Sequence, residues 1–151
     1  YKLYVERELI FALSNGGTKM ADAVTSQTLV DNDRIAVMKF TNISDGSGES
    51  AVAKVDVSAL NTHTKTGTAC SRVHLLRIWY MTIGMQVQLH WNADTNILLG
   101  EFEGDGHKDF RSFGGIKNNA GTNVNGDLLF TTRGHSNLDT YTIVIELQKT
   151  Y

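Results

Sequence analysis

Apolar residues alternate with polar ones along short segments of this chain, and this period of two constrains the fold more than any other feature. The clearest segment is Tyr141–Leu147. One of its faces carries Tyr141, Ile143, Ile145 and Leu147, and the other carries Thr142, Val144 and Glu146. Such alternation is typical of a half-buried β-strand. No segment after Met20 keeps a helical period over three turns, so the sequence predicts an all-β protein.

Strand-like segments separated by turn residues recur along the chain, and we expect about eight strands. That number and spacing indicate an antiparallel β-sandwich, either jelly-roll or Greek-key-like, whose strand order the sequence leaves open. Gly84 is expected to break the chain between two strands, and Glu103–Gly106 to form a turn. The predicted strands are Ile35–Thr41, Ala51–Val57, Arg72–Thr82, Gln86–Trp91, Asn96–Phe102, Lys108–Phe113, Asp127–Arg133 and Asp139–Leu147.

Two of these segments make specific predictions about burial. Arg72–Thr82 is mostly apolar on both faces, which predicts a central strand covered on two sides. Trp79 and Tyr80 then lie on opposite faces, so both are buried only if another layer or another subunit covers the second face. In Ala51–Val57 the alternation places the apolar residues inside and Lys54 outside.

Composition limits the classes of protein that the chain can belong to. Its 151 residues suffice for one domain with a real core. The 14 Lys and Arg residues nearly balance the 16 Asp and Glu residues, and no basic stripe points to nucleic acid. No apolar run reaches the roughly 18 residues of a membrane span. The one cysteine, Cys70, is expected to be a small buried residue in a protein made in a reducing cytosol.

The first nineteen residues differ from the rest and allow two interpretations. Lys2–Leu13 has a helical apolar face and could form a short amphipathic helix that ends at Asn15–Gly17. Alternatively, Asn15–Lys19 can be encoded by DNA that contains GGAGGT, a bacterial ribosome-binding sequence, just before the ATG codon of Met20. Residues 1–19 would then be translated upstream sequence. Either way, the sequence predicts an extension at 1–19 and one sandwich domain at 20–151.

The acidic segment Glu101–Asp109 is the one candidate metal site. Its carboxylates precede glycines in a manner similar to a calcium loop, but Ser112 stands where an EF-hand has its bidentate glutamate. The alternative is a hairpin turn at Asp105-Gly106 with solvated acids. The calcium candidates are Glu101, Glu103, Asp105 and Asp109.

No other motif predicts a cofactor or a catalytic centre. The five histidines lack metal-ligand spacing, and we expect no cofactor. No nucleophile and base stand in a recognisable arrangement, so we expect a protein that is not an enzyme. A small hydrolase remains a third alternative, and it would need converging carboxylates with perturbed pKa values.

Three large aromatic residues in the middle of the chain have two interpretations. Trp79, Tyr80 and Trp91 could form a sugar-stacking platform, or they could belong to the core or to a protein interface. An exposed row of these rings would favour a carbohydrate-binding sandwich, such as a receptor-binding or fibre-tip module. Buried rings would leave that alternative without its platform.

From Met20 onward the chain resembles small virion structural proteins of tailed bacteriophages. The stretches that carry the resemblance are Met20–Leu29, Val37–Gly46, Gly114–Gly121 and Tyr141–Leu147. The resemblance implies a capsid decoration or cement protein in the virion, made in the cytoplasm of a host bacterium. Its partners would be the major capsid protein and other copies of itself, in a homo-oligomer such as a trimer.

A decoration protein binds through exposed loops on a stable sandwich. We therefore expect interfaces at Ser44–Ser50 and Gly114–Gly126, with the arm Ala21–Asp33 as a further candidate. The candidate interface residues are Asp45, Gly46, Gly48, Gly114, Gly115, Asn118, Asn119, Trp79 and Tyr80.

Overall fold

A computed structural model describes residues 22–122 and 124–151, and they form an antiparallel all-β structure, which confirms the predicted fold class. The two interpretations of residues 1–19 lie outside the described residues. Two short 3₁₀ helices cover Val57–Ala59 and Arg111–Phe113. The described strands are β1 (Ala23–Asp31), β2 (Ile35–Asp45), β3 (Val52–Val55), β4 (Arg72–Trp91), β5 (Ile97–Asp109), β6 (Leu128–Arg133) and β7 (Asn137–Thr150).

The long strand β4 organises the sheet. Its first half pairs with β7, and its second half pairs with β6 on the same side. On its opposite side β5 pairs with both halves. The order is therefore β1-β2-β7-β4 in one layer and β3-β6-β4 in the other, with β5 beside β4 in both. The two layers form a sandwich-like arrangement.

The core lies between these two layers, and aromatic rings join them. Phe40 of β2 meets Phe130 of β6 edge to face, with ring centroids 5.2 Å apart. Phe130 in turn lies 6.0 Å from the ring of Tyr141 in β7. Tyr141, Ile143, Ile145 and Leu147 are all buried, as the period of two predicts for this strand.

Gly84 does not end a strand, so the predicted break between Arg72–Thr82 and Gln86–Trp91 is wrong. The residue has φ of +80° and lies within β4, where the pairing with β5 shifts between Met81 and Gln86. A side chain at Gly84 would run into the carboxylate of Asp139. Glycine thus lets the strand bulge and bend. β5 stays paired with β4 on both sides of the bend, while the neighbour on the other edge changes from β7 to β6.

The predicted turn at Glu103–Gly106, with a hairpin at Asp105-Gly106, is wrong for the same reason. These residues lie inside β5, and Gly104 has φ of +80° opposite the bulge in β4. Asp105 and Gly106 pair with Met81 and Tyr80 as ordinary strand residues. The strand ends at Asp109, so the predicted strand Lys108–Phe113 is also wrong beyond that residue.

The segment Ala51–Val57 follows its prediction only in part. Val55 and Val57 are buried as expected, but the strand is limited to Val52–Val55. Lys54 is not outside, because its side chain is only 5% exposed and pairs with Glu49. The buried carboxylate of Glu49, five positions earlier in the chain, decides this position, and the period of two does not indicate it.

The two-sided cover predicted for Arg72–Thr82 exists at one end only. Leu75 and Leu76 are both buried, and the loop residue Ile116 forms a bridge with Leu75. Past the bulge between Leu75 and Arg77 the second face opens, and Met81 is 51% exposed.

Candidate protein-binding face

The pairing register places side chains of four neighbouring strands on one face, on the side away from the core. We call it the outer face, and it comprises residues of β2, β7, β4 and β5. Paired residues form cross-strand rows because strand partners point to the same side of a sheet. The rows are Ile43–Thr140–Ile83, Thr41–Thr142–Met81–Asp105, Lys39–Val144–Trp79–His107 and Val37–Glu146–Arg77–Asp109.

The outer face carries apolar side chains that are open to solvent, and Thr140 and Thr142 of β7 lie between those of β2 and those of β4. Ile43 is 50% exposed, Met81 51% and Ile83 62%. Together with the half-buried Trp79 and Val144 they form what we call the apolar stripe. An open depression of about 410 Å³ lies beside Trp79, Met81 and Val144. Exposed apolar side chains that are grouped on one face mark interaction sites more often than single exposed residues do.

Trp79 is held in place by its neighbours on this face. The His107 ring stacks on it, with centroids 4.9 Å apart and planes inclined by 16°. The guanidinium carbon of Arg77 lies 4.9 Å from the Trp79 ring centroid. Arg77 also donates from Nε to the Glu146 carboxylate at 2.7 Å, and a second bond comes from its Nη2. The stripe thus ends at a fixed charged group, and Trp79 has little freedom to rotate.

The three large aromatic residues do not form an exposed row. Trp91 is 1% exposed and belongs to the core. Tyr80 lies on the other side of β4 from Trp79, packs 5.1 Å from the Phe102 ring and lies against Gly106. The platform that the carbohydrate-binding alternative requires is therefore not present as an exposed row. Trp79 remains a candidate interface residue, whereas Tyr80 packs against the body of the sandwich.

Two of the four calcium candidates, Glu101 and Asp109, already bind neighbouring side chains. Glu101 accepts hydrogen bonds from Gln88 at 2.6 Å and from Arg133 at 3.0 Å. Asp109 binds Arg111, whose hydrogen bonds hold the pKa of that carboxyl well below its usual range. Within residues 22–122 and 124–151, no group of three His, Cys, Asp or Glu side chains is placed to hold a metal ion.

The candidate interface loop Ser44–Ser50 is folded back onto the sandwich. The backbone N–H of Ser47 donates to Asp45 at 2.8 Å. Gly48 has φ of +69°, and a side chain there would collide with the His135 ring. Gly46 is exposed and Gly48 is half-buried. This loop therefore offers a rigid surface at Gly46, with little capacity to adapt.

A buried polar network fixes that loop, and the sequence pattern gave no sign of it. Glu49 is 7% exposed and accepts a hydrogen bond of 2.8 Å from the hydroxyl of Tyr141. Its other carboxylate oxygen pairs with Lys54. Burial, and next the negative charge of Glu49, raise the pKa of the Tyr141 phenol. Tyr141 therefore acts as a fixed hydrogen-bond donor.

The long loop before β6 is divided between packed and exposed residues. Asn118 is 6% exposed, and its backbone N–H donates to Nδ1 of His74 at 3.0 Å. Gly115 is buried, and an added Cβ would lie 2.7 Å from the carbonyl oxygen of Leu75. Gly114 and Asn119 are exposed. Of the four candidates in this loop, only these last two face a possible partner.

Comparisons with protein-family models and with curated proteins find no match for this chain. In the part of the chain that the structure describes, no helix is long and apolar enough to cross a membrane. The candidate site therefore rests on the geometry of the outer face and on the resemblance of the sequence.

Cys70 is buried, as the sequence predicts. It is 4% exposed, and its thiol donates to the carbonyl oxygen of Arg72 at 3.3 Å. Burial raises the pKa of the thiol, which keeps it in the unreactive protonated form. A structural role for Cys70 is the consequence.

Proposed function

We propose that this protein is a non-enzymatic structural protein of a phage virion, a decoration protein that binds the shell formed by the major capsid protein. The apolar stripe on the outer face is the observation that carries the proposal. The resemblance of Met20–Tyr151 to small virion proteins gives the identity of the partner. Synthesis would take place in the cytoplasm of the host bacterium.

The energetics of the stripe favour a protein partner. Full burial of one large aliphatic side chain contributes about 1.5–3 kcal/mol. Ile43, Met81 and Ile83 are each at least half exposed, so covering them would contribute several kcal/mol in total. This gain is compatible with a stable contact once the entropic cost of association is met.

The surroundings of the stripe resemble the anatomy of an interface. The stripe is apolar and contains Trp79, a residue type that often dominates binding energy. Lys39, Asp105 and His107 lie beside it in the same rows, and Arg77 lies in the next row. A polar rim of this kind fixes the orientation of a partner, while the apolar stripe provides affinity.

The first test is quantitative peptide mass spectrometry of gradient-purified phage particles that carry this gene. A copy number comparable to that of the major capsid protein supports decoration of the shell. A few copies for each particle would overturn decoration in favour of a tail or fibre component. Absence from the particles would overturn the virion role altogether.

A pair of variants then tests the apolar stripe. Ile83→Asp places a charge within the stripe and is expected to abolish binding to shells that lack the protein. Leu98→Asp is the matched control, because Leu98 is 53% exposed on β5 where that strand pairs with His90, away from the stripe. Urea unfolding verifies that both variants fold. Equal shell binding by the two variants would rule out the stripe as the binding site.

A further inference from the structure

Three strands of the sheet have a single strand partner among residues 22–122 and 124–151. They are β1, which pairs with β2, β3, which pairs with β6, and β5, which pairs with β4. A sheet edge presents unpaired backbone N–H and C=O groups that can pair with another chain. Proteins usually protect such edges against pairing with other chains, and the three edges differ in this protection.

Two of the three edges are protected by ordinary means. β3 has four residues and is too short to offer much of a template. β5 is longer, but it carries several charged residues and three glycines within Ile97–Asp109. The bulge at Gly104 also breaks its regular course. Charges and bulges of this kind discourage pairing with a neighbouring chain.

β1 has little of this protection. No residue from Ala23 to Val30 is charged or is proline, and all eight are exposed. Val24, Leu29 and Val30 are 42%, 48% and 41% exposed. A single bulge lies at Leu29, after the regular stretch Ala23–Thr28. A long, uncharged and solvent-exposed edge strand is a ready template for another strand.

The edge is also held firmly in position. At one end Asp31 accepts a hydrogen bond from the ammonium of Lys149 at 2.7 Å. At the other end Asp22 accepts from the side-chain amide of Asn42 at 3.0 Å and from the backbone N–H of Asp45 at 2.9 Å. The strand is therefore ordered before any partner arrives, which lowers the entropic cost of pairing.

We infer that β1 pairs antiparallel with β1 of a second copy of this chain, so that one sheet continues across a two-fold axis. The distribution of charge favours this partner. An antiparallel pair centred on Ser26 sets Asp22 of one copy opposite Val30 of the other, so neither Asp22 nor Asp31 faces its own counterpart. A parallel pair would place like charges side by side.

This arrangement also orients the outer faces. With the two-fold axis perpendicular to the sheet, the outer faces of both copies point to the same side. Two apolar stripes could then contact one flat surface together, which raises the effective affinity for it. The inference goes beyond the proposed capsid role and needs no capsid for its test.

The test uses the full chain and compares two variants with the wild type. Sedimentation velocity over a range of concentrations is expected to show a dimer that dissociates on dilution. Gln27→Lys sets two positive charges near each other across the axis, and it should raise the dimer Kd about tenfold. Gln148→Lys is the matched control, since Gln148 is an exposed glutamine on the interior strand β7. It should leave the Kd unchanged.

Amide hydrogen exchange of Ala23–Asp31 locates the contact independently of any variant. These amides are expected to be protected at high concentration and to exchange faster on dilution. A monomer at every concentration, or a dimer that Gln27→Lys leaves intact, would overturn the inference. Protection that does not change with concentration would also overturn it, because β1 would then be covered within one copy. None of these outcomes affects the shell-binding comparison of Ile83→Asp with Leu98→Asp.

Discussion

The hydroxyl of Tyr141 donates a hydrogen bond of 2.8 Å to the carboxylate of Glu49, and this contact ties the last strand to the loop that precedes β3. The two residues are 92 positions apart, and both are buried. The same carboxylate pairs with Lys54. A loop that sequence patterns assign to the surface is thus anchored inside the sandwich, in part through the side chain of Glu49.

Removal of the Tyr141 hydroxyl should destabilise the fold without changing it. Tyr141→Phe deletes one hydrogen bond to a buried charged group, and we expect a loss of about 1–3 kcal/mol in the free energy of unfolding. Urea denaturation measures this loss. In a double-mutant cycle with Glu49→Leu, the two changes should be coupled by about 1 kcal/mol or more. Strict additivity would mean that the hydrogen bond does not contribute.

Lys149 should be among the most sensitive charged positions. Its side chain is fully buried, and its ammonium donates to Asp31, to the Asn32 carbonyl and to the Asn61 carbonyl at 2.7, 2.9 and 2.6 Å. Lys149→Met leaves Asp31 and two carbonyl groups without their donor. We expect a loss of about 3 kcal/mol in stability.

The control for Lys149 is Lys39→Met on the outer face of β2. Lys39 is only half-buried, and its replacement should change the stability by about 0.5 kcal/mol or less. Urea denaturation of both variants gives the comparison. Similar losses in the two proteins would contradict a special role for the Lys149 network.

Alanine substitutions at two adjacent glycines distinguish the energetic cost of backbone strain from the cost of a steric clash. Gly114 and Gly115 have φ of +84° and +87°, so alanine is strained at both by about 1–2 kcal/mol. An added Cβ meets nothing within 4 Å at Gly114, but it meets the Leu75 carbonyl oxygen at 2.7 Å at Gly115. Gly115→Ala should therefore be clearly more destabilising in thermal or urea unfolding. Equal losses would show that the loop moves away from Leu75 at little cost.

His74 should make the loop before β6 sensitive to acid. Burial, and then the charges of Lys117 and Arg72, lower the pKa of His74 below its ordinary 6.5. The unfolded chain therefore binds the proton first, so the contribution to stability is full above pH 6.5 and falls as the pH decreases towards the folded pKa. Protonation of Nδ1 also removes the acceptor for the N–H of Asn118.

The measurement for His74 is urea unfolding between about pH 7 and about pH 5. His74→Gln should show a smaller loss of stability over this range than the wild type. An NMR titration of the histidines gives the pKa directly. A wild type and a His74→Gln variant with the same pH dependence would contradict the prediction.

The period of two predicted the strands whose faces differ in burial. In β7, the sequence alone correctly places four residues on the inner face. On the other face Thr142 is exposed and Val144 is half-buried, but Glu146, which pairs with Arg77, is buried as well. β1 was not predicted as a strand. Its residues from Ala23 to Val30 are all exposed, so apolar and polar residues do not alternate along it. The edge strand β1 makes up most of the arm that was expected at Ala21–Asp33.

The candidate interface residues stay predictions, but the structure shows how far each is exposed. Exposed loops were expected at Ser44–Ser50 and Gly114–Gly126, whereas Glu49 and Asn118 within them are buried and anchor them. The apolar stripe includes Trp79, which the sequence named, and Ile43, Met81 and Ile83, which it did not. Their grouping depends on the register of β2, β7 and β4.

By itself, the sequence determined the all-β class, the inner face of the last strand and the position of a buried cysteine, because burial of apolar side chains leaves a local period. Only the tertiary structure decided that Gly84 bends β4 without ending it, which charged residues lie inside and which edge is left open. These features depend on partners far apart in the chain. Glu49 and Tyr141 are one such pair. The sequence around either residue gives no indication that the two are in contact.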